Sequence, residues 1–217
     1  MKRRAIILSG GWEGHDPRGT SSWVAALLQE IGLDAEIHES LAILDKPEPL
    51  RDLALVVPNW TMGMLTGEQE KNLMGAVESG TGLGGSHGGM GDAFRGQTHY
   101  QFAVGGQFVA HPDDHQAYRV EFSRSPHELT RDLVDFSITT EQYYMHTDPA
   151  NEVLASTVFQ THSAPWINGT RMPVVWIRHH AKGRVFYSSL GHSLRELQHP
   201  TVRELMRRGL RWAARLD

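Results

Sequence analysis

Residues 80–92, Gly80-Thr81-Gly82-Leu83-Gly84-Gly85-Ser86-His87-Gly88-Gly89-Met90-Gly91-Asp92, set a serine beside a histidine inside a run of glycine. Gly84 to Gly88 matches G-x-S-x-G, a nucleophile-elbow pattern in which glycines permit the sharp turn that exposes a reactive side chain. On that reading Ser86 is a nucleophile. The same turn offers His87 as a proton-transfer group or metal ligand. A glycine run also suggests phosphate binding. However, no Lys-Ser/Thr pair follows, and the dinucleotide fingerprint belongs after a first strand, so no nucleotide is expected.

Two later segments add candidates. Gly191-His192-Ser193 follows an apolar, strand-like run, which places His192 either at a site or as the cap of the next turn. Glu141, in Glu141-Gln142-Tyr143-Tyr144-Met145-His146, suits a general base, a sugar acceptor or a metal ligand, with His146 in support. A solvated surface turn is the plainer alternative. No short metal-binding spacing such as H-E-x-x-H occurs, and the dense stretch His111, Asp113, Asp114, His115 reads as a solvated loop. A divalent metal bound by His and Glu would have to be assembled from distant residues such as His15, His87, Glu141 and His192.

Composition bounds the rest. The 217 residues suit one α/β domain spanning 1–217, and 40% hydrophobic with 21% charged residues is a globular composition. A formal net charge of -4 gives no field that draws nucleic acid or an anionic membrane. No cysteine is present, which removes disulfides, thiolate metal sites and a cysteine nucleophile. The start, Met1-Lys2-Arg3-Arg4 followed by Ala5 to Leu8, resembles a signal peptide in charge, but its apolar run is too short, so it reads as a strand in a cytoplasmic protein.

Strand-like and helix-like segments alternate along the chain. Arg4 to Ser9 is a strand, and a polar loop runs from Gly10 to Gly19. A helix then carries Val24, Leu27, Leu28 and Ile31 on one face, capped by Ser21 or Ser22 and closed by Gly32. Asp34 to Glu39 and Leu53 to Val57 are strands. Thr66 to Ser79 is a helix with Thr66 and Gln69 at capping-box spacing. The middle, about Gln97 to Ala164, holds short strands at Tyr118 to Phe122, Phe136 to Thr139 and Val153 to Thr161, punctuated by Pro112, Pro126, Pro149 and Pro165, and reads as an insertion within the domain. Val174 to Arg178 and Arg184 to Ser189 are strands, and Thr201 to Leu216 is the last helix. Alternation of this kind implies a mostly parallel sheet between helices, with ligands beyond the carboxyl ends of the strands. Trp12, His15, Asp16, Trp60, Ser86, His87 and Asp92 then share one rim.

The blocks Ile6-Ile7-Leu8-Ser9-Gly10-Gly11 with His15, Gly82 to Gly88, Glu141-Gln142-Tyr143, and Gly183-Arg184-Val185-Phe186-Tyr187 to Gly191-His192-Ser193 together resemble the trehalose-utilisation (ThuA-like) family. That resemblance implies a flavodoxin-like three-layer α/β sandwich, similar to the class I glutamine amidotransferases, with a strand-rich insert. In those amidotransferases a cysteine stands at the elbow. With no cysteine here, thioester chemistry is excluded, and the resemblance implies sugar metabolism on trehalose or an oxidised (keto) glycoside.

The expected small-molecule partner is therefore a sugar, with self-association into a homo-oligomer left open. In the leading reading His87 and His192 transfer protons with Glu141, Trp12 and Trp60 stack on the sugar, and His15, Ser86, Asp92, Tyr143 and His146 bind it. Two alternatives stand beside it: a Ser86–His192 hydrolase, and a non-catalytic sugar-binding subunit.

Overall fold

The computed structural model describes residues 3–125 and 127–216. Met1, Lys2, Pro126 and Asp217, including the basic start and one of the punctuating prolines, lie outside the described residues. In chain order the elements are β1 (Arg3–Gly11), α1 (Pro17–Glu30), β2 (Leu33–His38), β3 (Leu55–Thr61), α2 (Gly67–Ser79), β4 (Gly82–Ser86), α3 (His87–Gly91), α4 (Thr98–Val104), β5 (Gly106–Ala110), β6 (His115–Phe122), β7 (Phe136–Glu141), β8 (Tyr144–Thr147), β9 (Glu152–Val158), β10 (Arg171–His180), β11 (Gly183–Ser188), α5 (Leu194–Leu197) and α6 (Pro200–Ala213).

Nine strands form one sheet in the order β2-β1-β3-β4-β11-β10-β9-β6-β7. The block β2-β1-β3-β4-β11 is parallel throughout, and the pairs from β11 to β7 are antiparallel. This is the α/β class the alternation implied. The middle segment refines it: β9, β6 and β7 extend the main sheet, and β5 pairs with β8 as a separate ribbon.

Side-chain parity divides the core into two layers. Ala5 and Ile7 of β1 point to one face, with Val24, Leu27 and Leu28 of α1 and Val202, Leu205, Met206 and Leu210 of α6. Ile6 and Leu8 point to the other, with Leu73, Met74 and Val77 of α2 and Tyr100, Ala103 and Val104 of α4. A strand buried on both faces reads as a continuous apolar run, and β1 does. Among the described residues no helix is long and apolar enough to cross a membrane.

One local expectation shifts and another holds. The α1 cap is Asp16, whose side chain accepts from the Gly19 N–H, with Pro17 in the first turn. Proline is pre-set for that position, so the helix starts before Ser21 and shortens the expected loop. The capping box at Thr66 and Gln69 forms in both directions.

Candidate functional site

The strand ends build the site. β4 ends at Ser86 with extended backbone (φ -139°), and the next residue, His87, takes a left-handed φ of 48°. Such a conformation is costly for a residue with a large side chain. The strained residue of the elbow is thus the histidine, and Ser86 is the last strand residue before it. Among the described residues no hydrogen bond joins Ser86 to His192. The glycines after the turn permit close approach: a Cβ at Gly88 would sit 2.6 Å from Cε1 of His15.

Register carries the partners to His87. Ser188 of β11 pairs with Ser86, so the Ser189 carbonyl lies beside the elbow and accepts a 2.9 Å hydrogen bond from His87 Nδ1. Gly11 pairs with Thr61 across β1 and β3. This brings the Thr61 hydroxyl 2.8 Å from Nδ1 of His15, which stands in the turn after β1. Beyond β11, Gly191 (φ 113°) turns the chain and presents His192.

Glu141 arrives from the far edge. In a flat sheet the five strand spacings between β4 and β7, about 4.8 Å each, would separate them by about 24 Å. Instead Glu141 Oε2 lies 3.0 Å from Nε2 of His87 and 3.3 Å from Nδ1 of His192. The reason is in the pairing. β6 bonds β9 only at its Glu121–Phe122 end, and the His115–Glu141 end of the β6–β7 hairpin is free to bend over the strand ends.

Three imidazoles surround this carboxylate, packed edge to face. Ring centroids lie 4.8 Å apart for His15 and His87, 5.2 Å for His15 and His192, and 5.3 Å for His87 and His192, with interplanar angles of 67°, 88° and 81°. One donor atom from each of His15, His87, Glu141 and His192 falls within 4.8 Å of the others, so these four could hold a metal. Burial, with the charges of His87 and His192, lowers the His15 pKa to about 3. Burial also lowers that of His87, against Glu141 and the Ser189 carbonyl. Burial alone would raise the Glu141 carboxyl, but His192 and His87 more than cancel it and hold it low. Glu141 raises His192 against partial burial, which makes His192 the most basic ring of the three.

Around the cluster, Tyr143 stacks on His87 with centroids 4.1 Å apart, and burial raises its hydroxyl pKa well above the usual value. Trp12, half exposed, meets His15 edge-on at 4.7 Å. Four other candidates differ. Both carboxylate oxygens of Asp92 are taken by Arg95. The ring of Trp60 lies over Gly10 and Gly63. His146 is exposed on β8, away from the cluster, where it pairs with Gln107. Ser86 is beside the cluster, with its Oγ near Gly191. Conversely, the stretch read as a solvated loop joins the rim: His111 Nε2 lies 3.8 Å from Glu141 Oε1, and the His115 ring meets His192 at 4.7 Å. Its density of histidine was visible, but nothing local tied it to Glu141. A groove of 1460 Å³ lined by Arg51, Lys71, Glu78, His99 and Lys182 lies at the opposite end of the strands and contains none of these residues.

The family model for trehalose utilisation (ThuA) matches residues 4–213. None of the curated proteins compared matches the chain in sequence. Among solved structures, a ThuA-like protein of Bacteroides uniformis superposes with a TM-score of 0.78 at 19% identity, over 97% of this chain and 91% of that one. A ThuA-like protein of Parabacteroides merdae gives 0.76 at 15% identity, over 99% and 90%. A β-galactosidase of Bacillus circulans sp. alkalophilus gives 0.58 at 13% identity, over 98% of this chain and 30% of its own length. Likeness at these identities is one of fold.

Proposed function

Because the chain belongs to the trehalose-utilisation (ThuA) family, we propose that its histidine–glutamate cluster is the reaction centre of an enzyme acting on trehalose or a related keto-glycoside. The family ties the chain to sugar metabolism. The observation that carries it is the convergence of His87 and His192 on Glu141, at 3.0 and 3.3 Å, at the carboxyl ends of the strands.

Such a set suits proton abstraction next to a carbonyl, which needs a base and an electrophilic partner rather than a nucleophile. His192, the most basic ring, takes the proton, with Glu141 balancing the charge that results. His87 holds Glu141 in place beside His192. The Tyr143 hydroxyl, kept protonated by burial, donates to the sugar, and exposed Trp12 offers an apolar face to it. Ser86 needs no covalent role.

The test is incubation with trehalose and its keto derivatives in heavy water, followed by NMR. Wild type should turn over or exchange a carbon-bound proton for deuterium, and His87→Ala or His192→Ala should lower that rate by about 100-fold or more. Unchanged rates in both variants, or binding without exchange or turnover in wild type, would overturn the reading. Labelling of Ser86 by a fluorophosphonate would favour the hydrolase instead.

A further inference from the structure

We propose that His15, His87, Glu141 and His192 bind one divalent first-row transition-metal ion of the zinc type. The inference deepens the same cleft and rests on the sugar reading only for what the ion would act upon.

Hydrogen placement is the first reason. The Ser189 carbonyl can only accept, so Nδ1 of His87 carries the hydrogen of that 2.9 Å bond. In a neutral ring Nε2 is then a bare lone pair, and it faces a carboxylate oxygen 3.0 Å away. Two acceptors at that distance repel unless a positive charge lies between them. His87 is only 3% exposed, and a buried imidazolium is expensive.

A single proton would also leave the other rings unexplained. His192 Nδ1 is buried, 3.3 Å from the same carboxylate oxygen, yet it makes no hydrogen bond. His15 converges from a third side, and the three rings stand nearly perpendicular to one another. The ion pairs of Glu141 among the described residues are all with histidine, with no lysine or arginine. A buried carboxylate without a fixed cation is the group that metal binding would satisfy.

The outer contacts agree. His87 is oriented by a backbone carbonyl and His15 by the Thr61 hydroxyl, the kind of second contact that fixes ring orientation in metal-ligating histidines. Zinc–nitrogen bonds of about 2.0–2.1 Å place two ligands of one ion no more than about 4.2 Å apart. The donors lie within 4.8 Å of one another, so binding needs inward movement of less than an ångström. Three imidazoles and one carboxylate suit zinc and its neighbours in the series better than magnesium or calcium, which take oxygen ligands. With the ion in place these side chains would serve as ligands, so the proton-accepting role of His192 in the metal-free cleft would pass out of this set, and the ion would supply the electrophilic partner for a sugar oxygen.

The experiment strips the protein with chelator, adds zinc, desalts, and measures metal per chain, with cobalt(II) added in parallel for its visible ligand-field spectrum. The expected result is one zinc per chain, a cobalt spectrum of a nitrogen–oxygen site, and a higher melting temperature with metal. Glu141→Gln and the more accessible His192→Ala should each lose the retained zinc, and Thr61→Val should weaken zinc affinity about 10–100-fold. Circular dichroism shows whether each variant is folded. A second histidine–carboxylate group, Glu78, His99 and His180, lies at the other end of the strands, and Glu78→Gln/His99→Ala should leave the stoichiometry unchanged. No retained zinc in folded wild type, or zinc lost only in the Glu78/His99 variant, would overturn the proposal. Zinc retained without any sugar turnover would instead overturn the sugar reading. Turnover by zinc-free, chelator-treated protein would overturn the metal and leave the sugar reading standing.

Discussion

His87 and Gly88 work as a pair. The strained φ of 48° at His87 aims its ring at Glu141, and the missing side chain at Gly88 lets His15 close over it. A methyl group at Gly88 would meet Cε1 of His15 at 2.6 Å and Nδ1 at 2.9 Å, and the flexible ring must then move. Gly88→Ala should therefore impair deuterium exchange at least ten-fold while shifting the thermal midpoint by only a few degrees. Paired kinetic and circular-dichroism measurements check it, and unimpaired exchange would remove His15 from the working cluster. Asp92 behaves otherwise. The sequence offers it as a sugar ligand, but the arginine three residues on holds both its oxygens.

At the scale of elements, the glycine-rich strand β4 is explained by what presses on it. A Cβ at Gly82 would fall 2.2 Å from the Ala213 carbonyl, and one at Gly84 2.9 Å from Leu210. The C-terminal helix α6 therefore lies directly on the strand, which is why β4 is buried from Gly82 to Gly85 yet poor in apolar side chains. The same closeness recurs at Gly209 of α6, where a Cβ would be 2.3 Å from the Phe186 ring. Gly209→Ala should destabilise by about 1–3 kcal/mol through overpacking, despite alanine's better helix propensity. Urea denaturation gives the sign, and stabilisation would mean that Phe186 yields freely. Thr66→Ala, which removes half of the capping box on α2, should cost about 1 kcal/mol in the same assay.

Across the whole molecule, the bend of the β6–β7 hairpin completes the site, and distant contacts hold it. Arg208 of α6 donates to the carbonyls of Leu129 and Arg131 in the segment leading to β7. Glu204 in turn holds Arg208 and Arg207. Hydrogen bonding from Arg207, with further help from Arg208, brings the Glu204 carboxyl from 4.5 to about 2 despite partial burial. A carboxyl lowered by folding stabilises the native state above its unfolded pKa, and that contribution is lost as pH falls through the folded value. Wild type should thus lose stability between about pH 4.5 and about 2, and Glu204→Gln should show a flatter acid limb. Urea midpoints across that range test it, and parallel curves for the two proteins would contradict it.

Much of this was legible in the residues. Periodicity and caps are local properties, so β1, α2, α6 and the parallel centre of the sheet could be read directly. The elbow was legible too, because glycine-rich turns advertise close approach, and the run places His87 at its bend. His192 followed from its place after an apolar strand. Only the tertiary structure decided what surrounds these two histidines. It brought Glu141 in and left His146, on the neighbouring strand, outside. It engaged Asp92 with Arg95 and drew His111 and His115 to the rim. The physical reason is that the bend of a hairpin depends on which of its backbone groups find partners across the sheet. β6 pairs with β9 over two residues only, and no spacing within the chain records that pairing.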